Sequence, residues 1–302
     1  MRVVFMGTPE IAAMVLKSLI ASKHEVAAVV TQPDKPNSRG NAVIFSAVKQ
    51  VAIENDIPVL QPVKASSEES VAEIAAYKPD IIVVAAYGQI LKEKLLNLPK
   101  YRCINVHASL LPKYRGASPI QWAVINGDEE SGISIMYMEK GLDTGDVILQ
   151  KSLKLASDET AGSLHDRLGE LAGPVLLEAM ELIENGTAEP VPQDDSKSTY
   201  VSMLDKSMGE LDFTRNSEEL ERLIRGLIPW PGAFTHINGK MLKIWKAVIG
   251  DVGGLKPGEI YTSRPGELYI GTGDGSLNIL ELQLEGRKRM YTSDFLRGFK
   301  VC

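Results

Sequence analysis

Arg2-Val3-Val4-Phe5-Met6-Gly7-Thr8-Pro9 is a continuous apolar strand running into a tight turn. Apolar residues then recur at helical spacing from Ile11 to Ser22, and a second apolar strand runs from Val26 to Thr31. Both strands lack polar alternation, so both are predicted to be buried on two faces, as in a parallel sheet covered by helices. The turn reads Gly7-Thr8-Pro9-Glu10 rather than GxGxxG, and Pro9 suits the first turn of a helix. A dinucleotide-binding reading is therefore poor.

The same texture continues. Ser46 to Asn55 and Glu68 to Lys78 read as helices around a short Pro58-Val59-Leu60 strand, and Asp80 to Ala86 is the clearest buried strand in the chain. A short helix over Leu91 to Leu96 precedes a strand from Tyr101 to Val106. Ser118 to Asn126 is predicted helical, Gly132 to Met138 extended, and Asp146 to Leu155 a polar-alternating edge hairpin. A long helix over Ser163 to Asn185 is expected to break at Gly173-Pro174. The fold class is α/β: a Rossmann-like, mostly parallel sheet with helices on both faces over residues 1–188.

Residues 189–206, beginning Glu189-Pro190-Val191-Pro192-Gln193-Asp194-Asp195, are Pro-rich and aperiodic, and are expected to link two domains. Residues 207–302 differ in kind. After one helix, Ser217 to Gly226, they hold short strand-like runs separated by Asn238-Gly239, Gly253-Gly254, Pro265-Gly266 and Asp274-Gly275. Leu280, Leu282 and Leu284 alternate with Glu281 and Gln283, one face in and one out. A small closed OB-like β-barrel is predicted.

Composition narrows the class. Of 302 residues, 44% are hydrophobic and 24% charged, the balance of a soluble globular protein. No run of eighteen apolar residues is present, so no membrane span is predicted. Met1-Arg2 leads straight into a strand, which predicts no leader peptide. Two cysteines, Cys103 and Cys302, support no disulfide framework and no Cys-rich metal site, and a reducing cytoplasm is expected. The net charge of -6 is unevenly spread: residues 206–302 hold 14 Lys/Arg against 12 Asp/Glu, the remainder 19 against 27. A basic face on the second domain is thus compatible with an acidic chain. Arg287-Lys288-Arg289 places three positive charges on a turn there, either solvated or at a phosphate-contacting rim.

Chemistry concentrates at Asn105-Val106-His107. Two apart on a strand, Asn105 and His107 face the same side. A carboxamide can donate to an oxygen gaining charge, and an imidazole can take or steer a proton. Asp143, on the turn Gly141-Leu142-Asp143-Thr144-Gly145-Asp146, could fix the imidazole. His24, His165 and His236 are scattered, and His24 and His236 are expected at the surface. No HExxH motif or nucleophile elbow appears, which leaves addition of a nucleophile to a carbonyl, with acyl transfer and hydrolysis both open.

These residues carry a resemblance. Asn105-Val106-His107 with Ser109-Leu110-Leu111-Pro112-Lys113-Tyr114-Arg115-Gly116, Ser118-Pro119-Ile120-Gln121-Trp122-Ala123 and the Asp143 turn resembles the folate-dependent formyltransferases. Phe5-Met6-Gly7-Thr8-Pro9, Thr31-Gln32-Pro33-Asp34-Lys35-Pro36, Trp230-Pro231-Gly232-Ala233-Phe234 and Leu282 to Lys288 narrow it to the branch acting on initiator tRNA, nearly end to end. The resemblance implies transfer of formyl from 10-formyltetrahydrofolate to the α-amino group of methionyl initiator tRNA, with no metal. It implies a catalytic trio of Asn105, His107 and Asp143. A folate site is implied at Ser109, Leu110, Leu111 and Pro112, with Tyr87, Gly88, Gln89, Ile90 and Leu91 near the pterin. Lys35 and Arg39 match a mobile loop entering the acceptor-stem region, and Arg287, Lys288 and Arg289 lie on the domain that holds the tRNA. A monomer with no membrane partner is expected.

One departure stands out. After Arg39-Gly40 the family's loop continues with basic residues, whereas here it runs Asn41-Ala42-Val43-Ile44-Phe45, so a weaker electrostatic grip is expected. Among rival readings, a formyltransferase acting on a sugar-nucleotide amine or on glycinamide ribonucleotide would share the trio but not the second domain. A dehydrogenase fails at Gly7-Thr8-Pro9, and a pure nucleic-acid-binding module leaves the trio without a role.

Overall fold

Residues 1–36, 43–262, 264–299 and 301 are described in the structure, a computed structural model. They form two units, one of Met1–Gly116, Ser131–Leu153 and His165–Val201, the other of Ala117–Glu130, Lys154–Leu164 and Ser202–Cys302.

The first unit starts with β1 (Arg2–Gly7), α1 (Glu10–Ile20) and β2 (Glu25–Val30). A short stem of β3 (Lys35–Pro36) and β4 (Val43–Ile44) follows, then α2 (Ala47–Glu54), β5 (Val59–Leu60), α3 (Glu68–Ala76), β6 (Ile81–Ala85), α4 (Glu93–Leu96) and β7 (Cys103–His107). After β8 (Arg115–Gly116) the chain passes through α5 (Pro119–Asn126), which belongs to the second unit, and continues with β9 (Glu130–Tyr137), β10 (Val147–Lys154), α6 (Ala161–Asn185) and β11 (Tyr200–Val201). The main sheet has the order β10-β9-β7-β6-β1-β2-β5. Its pairs β1–β2, β1–β6, β2–β5 and β6–β7 are parallel, and β9 returns antiparallel to β7.

The apolar runs become the centre of this sheet: Val3, Val4, Phe5, Ile81, Ile82 and Val83 are fully buried. Burying each such side chain stabilises the fold by about 1.5–3 kcal/mol. Chain order reverses at β1, with β2 on one side and β6 on the other, so the carboxyl ends of β1, β6 and β7 bound the crevice where such sheets hold ligands.

Two sequence expectations change here. The long helix is continuous through Pro174. Gly173 marks close packing instead, since a Cβ there would lie 2.0 Å from Ser18 Oγ on α1. His24 is buried, 7% exposed, with Nδ1 3.1 Å from the Met1 nitrogen, and burial lowers its pKa from the ordinary value. Cys103 is buried too, which pushes its thiol up to about 12 and leaves it unreactive.

The stretch expected to link the domains is fastened to the first unit. Val191 exchanges two backbone hydrogen bonds with Val147, and β11 pairs in parallel with β8.

The second unit contains α5, α7 (Ser217–Gly226), β12 (Ala233–Ile237), β13 (Lys240–Ile249), β14 (Ile260–Tyr261), β15 (Leu268–Gly271), β16 (Ser276–Leu284), β17 (Met290–Tyr291) and α8 (Thr292–Gly298). Asn216 caps α7 by accepting the Glu219 N–H. The sheet runs β12-β13-β16-β15-β14 with β17 on β16, and its paired neighbours are antiparallel. It is a half-barrel: among the described residues β12 and β14 end the pairing order, where a closed barrel was expected. The leucine alternation also shifts. Leu277, Ile279, Leu282 and Leu284 are buried while Leu280 is not, because the β13–β16 register slips around Lys246 and Glu281. Such a bulge switches which parity of residues faces the core.

Candidate active site

The carboxyl end of β7 carries the site. Asn105 and His107 lie opposite Met136 and Ser134 of β9, and alternation puts both side chains on one face. His107 is 6% exposed, and its Nε2 lies 2.9 Å from the Tyr114 carbonyl oxygen. Asp143 joins them from its own turn, with φ of +52°, a left-handed backbone uncommon outside glycine. Its Oδ2 accepts the Gly116 N–H at 2.8 Å, and its Oδ1 lies 3.5 Å from Asn105 Nδ2. Oδ2 stands 3.7 Å from His107 Nδ1, within ion-pair range and beyond hydrogen-bonding range. Asp143 thus faces the imidazole without bonding it. The partner that orients the ring is Tyr114, and sequence reading missed it because a backbone carbonyl leaves no residue-type signal.

Three successive residues, Tyr114, Arg115 and Gly116, hold the trio together. Tyr114 fixes His107 and Gly116 fixes Asp143, while Arg115, 1% exposed, sends its guanidinium to Gln193, Asp195 and Tyr200. At Gly116 φ is +113°, and a Cβ would sit 2.3 Å from the Val201 carbonyl oxygen.

The Ser109–Pro112 loop is braced from behind. Ser109 is 1% exposed and donates to the Lys113 carbonyl. Ser134 Oγ accepts the Leu111 N–H at 3.1 Å and donates to the Ser109 carbonyl, and Gln150 Nε2 donates to the Leu111 carbonyl at 2.9 Å. Leu111 is buried and joined to Pro112 by a cis peptide, whereas Leu110 and Pro112 are half-buried.

The Tyr87–Leu91 turn leaves β6 beside the trio, since Val84 pairs with Asn105. Tyr87 and Leu91 point into the apolar core, and burial pushes the Tyr87 phenol up to about 12. The Tyr87 carbonyl takes hydrogen bonds from Thr8 Oγ1 and Gln32 Nε2. Gly88 is exposed with φ of +86°, and Ile90 is 84% exposed. Gln89 reaches Gln32 and the Ala65 N–H. A polar network continues under the β3–β4 stem: Gln61 donates to the Gln32 carbonyl and to Asp34, while Lys49 pairs with Asp34 and donates to Gln61. Lys35 lies on β3, and Arg39 falls outside the described residues.

In the second unit Arg287 and Lys288 are exposed on their turn. Arg289 is engaged: its guanidinium bonds Glu281 and stacks over the Trp245 ring, 4.9 Å to the centroid. Among the described residues no group of three or more His, Cys, Asp or Glu is placed to hold a metal ion, and no helix is long and apolar enough to cross a membrane.

Chemically, the trio offers one amide donor, one imidazole nitrogen and one carboxylate around a point at the sheet's ligand-binding edge. Both halves match one family: residues 1–180 fit the model described as formyl transferase, and residues 203–300 the formyl transferase C-terminal domain. The chain is thus a formyl transferase. The chain is 54% identical to the methionyl-tRNA formyltransferase of Lachnospira eligens, over 99% of this chain and 96% of that one. It is 50% identical to that of Agathobacter rectalis over 100% and 97%. In fold it matches the N-formyltransferase from Helicobacter canadensis, solved with folinic acid and dTDP-3-aminofucose (TM-score 0.69, 21% identity, 95% of this chain and 99% of that one). The chain belongs to the methionyl-tRNA formyltransferases.

Proposed function

We infer that this enzyme moves the formyl group of 10-formyltetrahydrofolate to the α-amino nitrogen of methionyl initiator tRNA, with Asn105, His107 and Asp143 at the reacting centre. The observation carrying the reading is the convergence of Asn105 Nδ2 and His107 Nδ1 on the Asp143 carboxylate, 3.5 and 3.7 Å away. That arrangement lies on a chain about half identical, end to end, to curated methionyl-tRNA formyltransferases.

A carbonyl oxygen only accepts, so the Tyr114 contact requires hydrogen on His107 Nε2. In the neutral ring Nδ1 is then the basic nitrogen. An aminoacyl amine has a pKa near or below the roughly 7.7–8.0 of chain termini, so a neutral fraction exists at pH 7. Its lone pair bonds to the formyl carbon, and the carbonyl π pair moves onto oxygen. The free hydrogen of the Asn105 amide donates to that oxyanion. The proton leaving the attacking nitrogen goes to Nδ1, where the imidazolium faces Asp143 at ion-pair distance. It then passes to N10 as the carbon–N10 bond breaks, so tetrahydrofolate leaves with the proton the amine gave up.

The donor fits the residues beside the trio. Val63 and Ile90 are 80% and 84% exposed, on neighbouring turns joined through the Gln89–Ala65 hydrogen bond. Uncovered apolar side chains of this kind suit the aromatic part of a folate. Ser109, Leu110, Leu111 and Pro112, on a loop braced by Ser134 and Gln150, would line the rest of the folate site. Lys35, Arg39, Arg287 and Lys288 would meet tRNA phosphates. In this reading residues 1–188 do the chemistry and residues 207–302 present the tRNA, in a cytoplasmic monomer. Incubating the protein with 10-formyltetrahydrofolate and charged initiator tRNA, with charged elongator tRNA as control, tests it. Formylmethionyl-tRNA is expected from the first alone, and its absence would end the reading.

A further inference from the structure

Gln193 lies in the Pro-rich stretch that composition alone marks as a passive tether, yet its carboxamide is fully used. Its Oε1 accepts from Arg115 Nε at 3.1 Å and Nη2 at 2.9 Å. Its Nε2 donates to the carbonyl oxygens of Asp143 at 2.9 Å and Gly145 at 2.8 Å. Two acceptor and two donor positions are all that a carboxamide has.

The contacts close a ring through the site. The Arg115 side chain holds Gln193, Gln193 holds the Asp143 backbone, and the Asp143 carboxylate holds the N–H of Gly116, the residue next to Arg115. Asp143 sits in the left-handed region, a backbone state that costs energy outside glycine, and both hydrogen bonds that its turn receives from Gln193 fall on main-chain carbonyls of that strained stretch. Arg115 is itself immobilised by burial and by bonds to Tyr200 Oη at 3.0 Å and Asp195 at 2.7 Å. The rigid end of the ring is therefore Arg115, and the part left to be positioned is the Asp143 turn.

We propose that Gln193 is a positioning residue for formyl transfer, acting through Asp143 to set the carboxylate against Asn105 and His107. The claim rests on the catalytic reading above. Glu and Met both lose the bonds to the Asp143 turn: an ionised Glu would turn acceptors toward two carbonyls, and Met would leave the turn unheld. A side chain that merely fastened the stretch to the domain would contribute to stability without reaching the chemistry, and the two roles separate experimentally.

The test is a double-mutant cycle on the full chain, measuring kcat and both KM values for wild type, Gln193→Met, Asp143→Asn and the double variant. Expected is a fall in kcat of about tenfold or more for Gln193→Met, since small misplacements of reacting groups are costly. Both KM values should stay within about twofold, and adding Gln193→Met to Asp143→Asn should cost under about twofold. An unchanged kcat, or an equal loss in both backgrounds, overturns the proposal. Where Gln193→Met does not fold, Gln193→Glu takes its place with the same expectations. Amide exchange at Gly116, whose N–H the Asp143 carboxylate holds, reads the positioning without turnover. It should quicken about tenfold in Gln193→Met, and unchanged protection would again overturn the claim. Wild-type inactivity in the same assay would instead remove the catalytic reading.

Discussion

His107 Nε2 lies 2.9 Å from the carbonyl oxygen of Tyr114, and that contact selects the ring nitrogen that can do chemistry. With Nε2 carrying the hydrogen, Nδ1 is the unprotonated nitrogen of the neutral ring, on the side facing Asp143. A residue seven positions along the chain thereby sets the tautomer. His107→Ala should fold and bind both substrates while kcat falls about 10²- to 10⁴-fold, the usual contribution of a positioned acid–base group. Near-normal turnover by the folded variant would sink the assignment.

Asn105 has one amide hydrogen directed at Asp143 Oδ1, 3.5 Å away, and the other free for an oxyanion. Asn105→Ala removes that donor. Loss of one such donor typically costs about 10²–10³ in kcat. Single-turnover rates at saturating donor should show that loss with little change in donor affinity. A variant weakened only in binding would make Asn105 a folate contact instead.

The sheet was legible in the sequence because buried parallel strands announce themselves as unbroken apolar runs, as Val3 to Met6 and Ile81 to Ala85 do. Asn105, His107 and Asp143 were legible as residue types in a known pattern. The shared face of Asn105 and His107 was legible too, from their spacing of two, but the contacts that hold the trio were not. Tyr114 and Gly116 act through backbone atoms, and Gln193 reaches Asp143 across fifty residues of chain, so no local pattern encodes either. Leu280 misled for a different reason: a bulge opposite Lys246 changes parity mid-strand, and alternation alone cannot locate it.

Asp34 gives a pH-dependent prediction. Hydrogen bonds from Lys49 and Gln61 hold its carboxyl below the ordinary value of 3.8. A depressed folded-state pKa contributes stability that is present above the unfolded value and lost as pH falls through the folded one. Asp34→Asn should therefore melt below wild type at pH 7, with the gap narrowing as pH drops through and below 4. Thermal melts between pH 7 and 3 check this, and a gap independent of pH would assign the loss to packing.

Gly116 meets two demands at once, a φ of +113° and a Cβ position already occupied by the Val201 carbonyl. Gly116→Ala strains the backbone and pushes β8 from β11, so a loss of more than about 1 kcal/mol is expected in denaturant melts. The Asp143 carboxylate depends on the Gly116 N–H, so kcat should fall in the same variant. Unaltered stability would show that β11 can move aside.

The basic turn divides its three charges unequally. Arg289 is already paired with Glu281 and stacked on Trp245, whereas Arg287 and Lys288 are exposed on the turn. Each phosphate contact contributes roughly 0.7–0.9 to the slope of log affinity against log salt. Replacing both Arg287 and Lys288 by Ala should flatten that slope for initiator tRNA by about 1.5. Arg289→Ala should leave the slope nearly unchanged and act through the turn, since Gln283 accepts the Trp245 N–H and donates to the Arg287 carbonyl. Breaking the stack frees that bracket and lowers affinity at every salt concentration alike. Equal slope changes for the two variants would mean that Arg289 leaves Glu281 to contact phosphate when tRNA binds.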